Sequence, residues 1–479
     1  MVNSWHNHHH QVSSSTSRGF NRKKTIILPT GECSDMINRD LNLNIPGAAP
    51  TILYPCFIDS WRVSCLSIPD SQIEHISVGA FDAMPNLLYL DLSRNRIEFC
   101  DLLTFGGHDK LKTLVYDENN NSYGKYTNLI LEKSGYFPKL NHLYLRNNYL
   151  RDIKVSIAKY MPSLTHLYLS DNKLSGETFD NIELPNCLSH LHLERNLINK
   201  FGCNTDYYNR CQLNNNNNEI NLVSLFLDGN NIKTLCSNYC NINSNNNNQL
   251  NLHAMMKRLE FLSLSHNAIG IIDRDTFEDA PYLKSINIAH NEIRYISPGT
   301  LDRLDNLRDL SLSYNKLTTI SQIFNNVKYL TSLSLDHNEI SHIERESFKQ
   351  LPYLKWLTIG ANKINFIDTN AFINLPILEE LDLSDNELSY LPNNWIINVP
   401  ALRKLDISNN FFTNIESINI DNHLLTSLQL LQLYIQNNPL SSNILYWKNS
   451  HNAIILDNNN NNNNNNYIIP RYCNEWRYV

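Results

Sequence analysis

Residues 283–296 read LKSINIAHNEIRYI, and this stretch decides the fold. Counted from Asn291, apolar side chains stand at Leu283, Ile286 and Ile288 before it and at Ile293 and Ile296 after it, giving L-x-x-L-x-L-x-x-N-x-L. The frame returns at Asn95, Asn119, Asn148, Asn172, Asn196, Asn230, Asn267, Asn315, Asn338, Asn362, Asn386, Asn410 and Asn438, mostly in steps of 23 or 24 residues. Ser71 lies 24 residues before Asn95, with Leu66, Ile68 and Ile73 around it, and opens the series with serine in place of asparagine. The frame at Asn119 is the weakest, carried by Leu111, Leu114 and Tyr116. A 24-residue period sustained this far predicts one long repeat array of about 15 units. It sets aside the two to four separate domains that length alone suggests.

Each x-L-x-L-x segment alternates with period two, so it predicts a short strand whose leucines face a core and whose intervening residues face the other way. The chain must then turn inside a buried region, where an unpaired amide costs about 1–3 kcal/mol. An asparagine side chain carries both donors and an acceptor, and stacked repeats are therefore expected to build a ladder of asparagines that serves these turns. Ten residues after the ladder position stand Phe81, Phe105, Phe277, Leu301, Phe348 and Phe372, which are expected to fill the outer side of the coil. Fourteen residues after it stand Pro85, Pro162, Pro281, Pro352, Pro376 and Pro400, where a missing N–H is tolerated as the chain turns back.

The full unit, L-x-x-L-x-L-x-x-N-x-L-x-x-I-x-x-x-x-F-x-x-x-P, resembles the "typical" leucine-rich repeats of animal cell-surface and secreted proteins, the broad group that includes Slit, chaoptin, connectin and Toll ectodomains. The resemblance spans about residues 56–447. It implies an α/β repeat fold, a leucine-rich-repeat solenoid (horseshoe) with a parallel sheet on its concave face. Around it we expect a disordered segment at 1–32, a partial amino-terminal cysteine cap at 33–65, the solenoid at 66–447 with insertions near 203–218 and 236–250, and a degenerate carboxy-terminal cap with an Asn-rich tail at 448–479. The resemblance places Cys56 and Cys65, in PCFIDSWRVSCLSIP, in the disulfides of the first cap, with Cys33 as a third cysteine where the family has four. At the far end, Asn438, Pro439 and Trp447 match the start of the family's second cap, whereas Ser442 and Ile444 replace its cysteines, and Cys473 has no obvious partner.

Two repeats are over-long, from Asn196 to Asn230 and on to Asn267, and they carry four cysteines and two asparagine tracts. Equivalent positions of adjacent repeats lie about 5 Å apart, within disulfide reach, which favours Cys203–Cys236 with Cys211–Cys240. Local pairs Cys203–Cys211 and Cys236–Cys240 are the alternative, and a zinc knot fits the spacing poorly. Cys100 and Cys187 read as buried core thiols. Paired cysteines point to an oxidising compartment. Against that, the first residues show no apolar segment of a signal peptide. One glycosylation sequon falls at Asn120.

Composition excludes several function classes. Forty Lys+Arg against 47 Asp+Glu leave a formal charge of -7, which offers no basic groove for nucleic acid. No apolar run is long enough to cross a bilayer, so no segment of this chain is expected to span one. No phosphate-binding glycine loop, zinc-protease helix, nucleophile elbow or kinase motif occurs; Gly124-Lys125 lacks the loop that a phosphate site needs. We therefore expect no enzyme, no metal and no cofactor. The 74 asparagines divide between the ladder and tracts at 214–218, 245–248 and 458–466, the latter of low complexity. The HNHHH stretch at 6–10 reads as incidental.

What remains is a surface. Positions six, four and two before the ladder asparagine give His142, Tyr144 and Arg146, then His166 and Tyr168, then His190, His192 and Glu194, followed by Phe226 and Phe261. Farther along, the same columns turn small or acidic, as at Asp309, Asp336, Asp382 and Asp406, interrupted by Trp356. Aromatic, His and Arg side chains are interface anchors, so the patch from His142 to Phe261 is expected to bind a protein ligand or receptor. Strand propensity alone also accounts for Tyr and His at such places. The His142, His166 and His190 column is expected to weaken binding below about pH 6 through mutual repulsion. The column His266, His290 and His337 reads as scaffold. Adhesion or receptor recognition outside the cell is the first expectation, and an intracellular scaffold that uses the same face is the alternative.

Overall fold

A computed structural model describes residues 41–97 (without 48), 105–119, 128–130, 135–199 (without 155), 222–236, 249–420 (without 252), 432–440 and 454–456. Within these, seventeen short strands pair side by side in one parallel sheet. Fifteen of them are the strands predicted before Ser71 and the fourteen ladder asparagines. One more precedes the series, Leu41–Asn44, paired with Val63–Ser67. One more follows it, Ile454–Leu456, paired with Gln432–Tyr434. Register is strict: Leu143, Leu167, Leu191, Leu225 and Leu262 lie opposite one another in sequence, so every repeat places its strand leucine on the same face. These leucines and their neighbours form one continuous core running from Leu53 to Ile435. The chain is thus a parallel-strand solenoid, and even the weak frame at Asn119 is built in, with Leu111, Leu114 and Tyr116 fully buried.

The ladder closes the turns as the polar inventory of asparagine requires. The side-chain amide of Asn291 donates to Leu264 O, Ile288 O and Ala289 O, while the backbone N–H of Ile293 donates to Asn315 Oδ1. The same set recurs at Asn95 and from Asn172 to Asn410, while Asn119 and Asn148 keep fewer of these bonds but still reach the carbonyls of Leu92 and Tyr116 in the repeat before. Ser71 holds the first rung in its own way: its hydroxyl donates to Ile45 O and Pro69 O, and its N–H donates to Asn95 Oδ1. The residue just before each ladder asparagine is left-handed, as at Arg94, His290, Tyr314 and Ala361, with φ near +50°. That strain is offset by a bond to the next repeat, for example His290 N–H to Ser313 O at 2.9 Å.

The outer side carries little of the helix that an α/β unit can hold. Helix among the described residues amounts to two single turns, Ile157–Tyr160 and Thr178–Asn181, and three short 3-10 segments. A 24-residue unit that spends its return on F-x-x-x-P has too few residues between strand and proline for a longer helix. In its place a spine of buried rings runs along the coil. Phe81 lies 6.0 Å from Phe57 and 5.0 Å from Phe105, which meets Phe137 at 5.4 Å. Farther on, Phe324, Phe348, Phe372 and Trp395 follow at 6.0–6.2 Å. Phe137, Phe324 and Trp395 were not read from the ten-residue offset because their repeats place the ring at a different distance from the ladder, and Phe57 was not because it precedes the first rung at Ser71.

The cysteine expectations need correction at two places. Cys56 is an exposed free thiol, held at a left-handed turn position that turns its side chain to solvent. Cys65 is disulfide-bonded and buried in its strand, and its partner is not Cys56. Cys187 is exposed too, not a core thiol; it sits in the turn after Pro185, where its thiol donates toward Pro162 O and Leu164 O. Cys100, Cys203, Cys211, Cys240 and Asn120 lie outside the described residues, as do the three asparagine tracts, and Cys236 is described in its backbone alone.

Candidate functional site

The strands His142–Tyr144, His166–Tyr168, His190–His192 and Ser224–Phe226 are aligned by their pairing. His142 lies opposite His166, which lies opposite His190, and Tyr144 opposite Tyr168, opposite His192, opposite Phe226. A parallel sheet repeats at about 4.8 Å, close to the thickness of stacked rings, so identical columns of flat side chains must stack. They do. His142, His166 and His190 stack at 4.4 and 4.1 Å. Beside them Tyr144, Tyr168, His192 and Phe226 stack at 4.2, 4.5 and 4.4 Å. The face therefore presents ring edges in two rows, each ring shielded by its neighbours.

Arg146 braces one end. Its guanidinium lies 5.3 Å from the Tyr144 ring and 5.9 Å from that of Tyr168, and it grips Asp117 through two nitrogens at 2.8 and 2.6 Å. Burial pushes the Asp117 carboxyl above its ordinary value, although Arg146 pulls it the other way. At the other end Glu194 accepts from Ser170 Oγ at 2.5 Å and pairs with His192 Nδ1 at 3.0 Å. Burial raises its carboxyl and these partners more than offset that, so it lies below the usual carboxylate range. One strand on, burial carries Asp228 up to about 6, with Glu194 adding to the rise and bonds from Ser263 and Ser265 opposing it.

Of the expected patch, His142, Arg146, His166, Tyr168, His190, His192, Glu194, Phe226 and Phe261 are half-buried on the sheet face. Tyr144 is not a surface residue: it is fully buried, packed with Cys65, Tyr89 and Val115, and only Tyr168 of that cluster reaches the open face. Phe261 stands apart, since Ser224 separates it from His190 in the register. Asp117, Tyr89 and Val115 were missed. They occupy the same columns one and two repeats earlier, and the count of positions before Asn95 and Asn119 reaches all three.

The acidic columns are also less bare than their sequence suggests. Glu380 meets Lys404 at 3.4 Å, Asp336 accepts from Ser313 and Thr358, and Asp406 accepts from Ser408. Burial pushes Asp309 and Asp382 up, and pushes Asp406 up to about 6 with help from Asp382. No cluster of His, Cys, Asp and Glu among the described residues could hold a metal ion. Stacked imidazoles point their nitrogens side by side and do not converge them on one point. No described helix is long and apolar enough to cross a membrane.

Burial first, and then the charges of neighbouring histidines, carry His166 down to about 3 and His190 down to about 4. His166 and His190 thus stay neutral near pH 6, so mutual repulsion between these two does not set in where the sequence led us to expect it. The unfolded chain takes up these protons near pH 6.5 and the folded chain does not. The two histidines therefore cost stability as pH falls from about 6.5 to their folded values, below which the loss is complete. Asp228 and Asp406 act in the opposite sense between about pH 6 and 4, so the test is a difference. The His166→Gln/His190→Gln double variant should lose less stability than the wild type between pH 7 and 4, measured by urea midpoints. Parallel pH curves for the two proteins would refute the stacked, neutral column.

The family described as "Leucine rich repeat" matches residues 62–120, 138–198 and, in overlapping copies, 257–412, together more than half of the chain. No curated protein matches it. Among solved structures, a leucine-rich-repeat protein of Leptospira interrogans is similar with a TM-score of 0.60 and 20% identity, over 82% of this chain and 95% of that one. An internalin of Listeria monocytogenes gives 0.49 and 23%, over 68% and 82%. The TLR13–ssRNA13 complex gives 0.46 and 22%, over 84% of this chain and 59% of that one. At these identities the likeness is one of fold.

Proposed function

The chain belongs to the leucine-rich-repeat family, and from that premise we propose that it is a non-catalytic recognition protein that binds a protein partner on its sheet face, outside the cell, in adhesion or as a receptor-type module. The observation that carries this reading is the double stack from His142 to Phe226. Its rings are held rigid by their neighbours and by Arg146, so a partner meets a preformed surface and little side-chain entropy is lost on binding. Burial keeps the His166 and His190 rings neutral at ordinary pH, and flat neutral rings suit the buried centre of an interface. The Ser-bonded acids Asp336, Asp382 and Asp406 then set selectivity at one side through charge. The disulfide at Cys65 favours an oxidising setting.

The free, exposed thiols of Cys56 and Cys187 favour a second reading, an intracellular scaffold that uses the same face. Titration of free thiols in the native protein as its own cell makes it separates the two. Most of the ten cysteines blocked supports the first reading, and ten reactive thiols would sink it.

The face itself is tested with Tyr168→Ala, His192→Ala and Phe226→Ala combined. Tyr144 is left untouched because it is core. The triple variant should keep its fold and lose the proteins that the wild-type chain retains when both are used as bait side by side. Losses of about 2 kcal/mol or more per anchor are typical at such centres. An unchanged set of bound proteins moves the site elsewhere.

A further inference from the structure

A second surface lies on the flank where the chain leaves the strands, across the repeats of Asn267 to Asn386. Four residues after each ladder asparagine stand Ile271, Tyr295, Thr319, His342, Phe366 and Tyr390. Ile271, Tyr295, Phe366 and Tyr390 are 51%, 53%, 36% and 42% exposed, so four of the six positions in this stripe turn large apolar side chains to solvent. Short strands hold it in line: Ile271–Ile272 pairs with Tyr295–Ile296, and His342–Ile343 with Phe366–Ile367. His342 stacks on Phe366 at 4.7 Å, so the stripe is ordered. Two pairs of exposed apolar side chains thus flank Thr319 and His342, and exposed apolar groups gathered in one row mark an interaction site.

Beside it, one residue after each ladder asparagine, runs a row of alternating charge: Glu292, Lys316, Glu339, Lys363 and Glu387. Neighbours in the row pair within the chain, Lys316 with Glu292 at 3.2 Å and Lys363 with Glu339 at 3.4 Å. Such a row is complementary to itself under a two-fold rotation, provided the axis passes between two repeats. An axis through a repeat would set like charges on like. With the axis between Lys316 and Glu339, Lys316 faces the second copy's Glu339 and Glu292 faces its Lys363. The same operation sets Ile271 on Tyr390 and Tyr295 on Phe366, Thr319 on His342, and Arg294 on Asn365. No like charges meet, and the large apolar groups of the stripe meet each other.

We propose that this flank is a self-association surface, where two copies of the chain pack antiparallel about a two-fold axis between the repeats of Asn315 and Asn338. An isologous contact of this kind needs one patch that is complementary to itself, and closes at two copies without growing into a fibre. The surface is separate from the ring-lined sheet face, so both can be occupied together.

The test is sedimentation of the full chain over a concentration series, as wild type, Lys316→Glu, and Lys316→Glu with Glu339→Lys. These side chains lie on the surface in weak ion pairs, so the variants fold. The wild type should dimerise reversibly. Lys316→Glu sets two carboxylates against carboxylates and should weaken the dimer by about tenfold or more. Adding Glu339→Lys restores opposite charges across the axis and should restore the dimer. A wild-type chain that stays monomeric throughout, or a double variant no stronger than the single one, overturns the proposal.

Discussion

Asn315→Ala lowers the stability of the chain by about 3–5 kcal/mol, the sum expected from stranding several buried backbone groups at about 1–3 kcal/mol each with some relief from water. The side chain of Asn315 donates to Ile288 O and Leu312 O at 3.0 Å and to Ser313 O at 3.2 Å, and accepts from Ile293 N at 3.0 Å. Two of these groups belong to the preceding repeat, so the loss falls on the joint between repeats. In a stack stabilised by nearest neighbours, that separates the two halves of the array. The urea transition should move to lower concentration and lose cooperativity, and the Ile293 amide should exchange much faster. Asn315→Asp sharpens the test. Its carboxylate still accepts from Ile293 but faces three carbonyls, so its folded pKa is raised and its stability should recover in part as pH falls and the acid becomes a donor. A loss below about 1 kcal/mol for Asn315→Ala would refute the ladder as a clamp on buried amides.

Phe348→Ala should cost about as much, 3–5 kcal/mol, through a different mechanism. The ring is fully buried on the outer side of the coil, 6.2 Å from Phe324 and 6.0 Å from Phe372. Removing it deletes the transfer energy of the ring and leaves a cavity between two walls fixed by their own repeats, which cannot collapse to fill it. Phe348→Leu should cost only about 1–1.5 kcal/mol, since hydrophobic swaps of similar volume are tolerated. Leu301 holds the same offset from its ladder asparagine and is buried there. Thermal and chemical unfolding of the two variants measures both numbers. Equal losses for Ala and Leu would mean that ring stacking, not volume, holds the spine.

The repeat frame was legible because one residue type in one place recurs with a fixed period, and a chemical need stands behind it. Even Ser71 was legible as a rung, and its hydroxyl does reach the preceding repeat. The site was legible only as columns. Counting back from the asparagine named His142, His166 and His190 together, but it could not tell an exposed ring from a stacked one. Tyr144 has the column position of a surface anchor and the environment of a core residue, because Cys65, Tyr89 and Val115 gather around it. The fate of Cys56 was not legible either, since a turn in the left-handed region aims its thiol at solvent.

Sequence by itself determined the period, the face of every leucine and the place of each buried turn, because those follow from local alternation and from the polar groups of asparagine. It also determined that similar side chains fall in the same column. Tertiary structure alone decided what those columns do. Repeats stacked at strand spacing force His166 between two other imidazoles and out of water, which moves its proton affinity far below that of a free histidine. The same stacking makes Arg94, Tyr314 and Ala361 accept a left-handed backbone, because only the next repeat's carbonyl can offset that strain. Burial and strain are properties of neighbours that lie about 24 residues away along the chain, and no local reading of the sequence contains them.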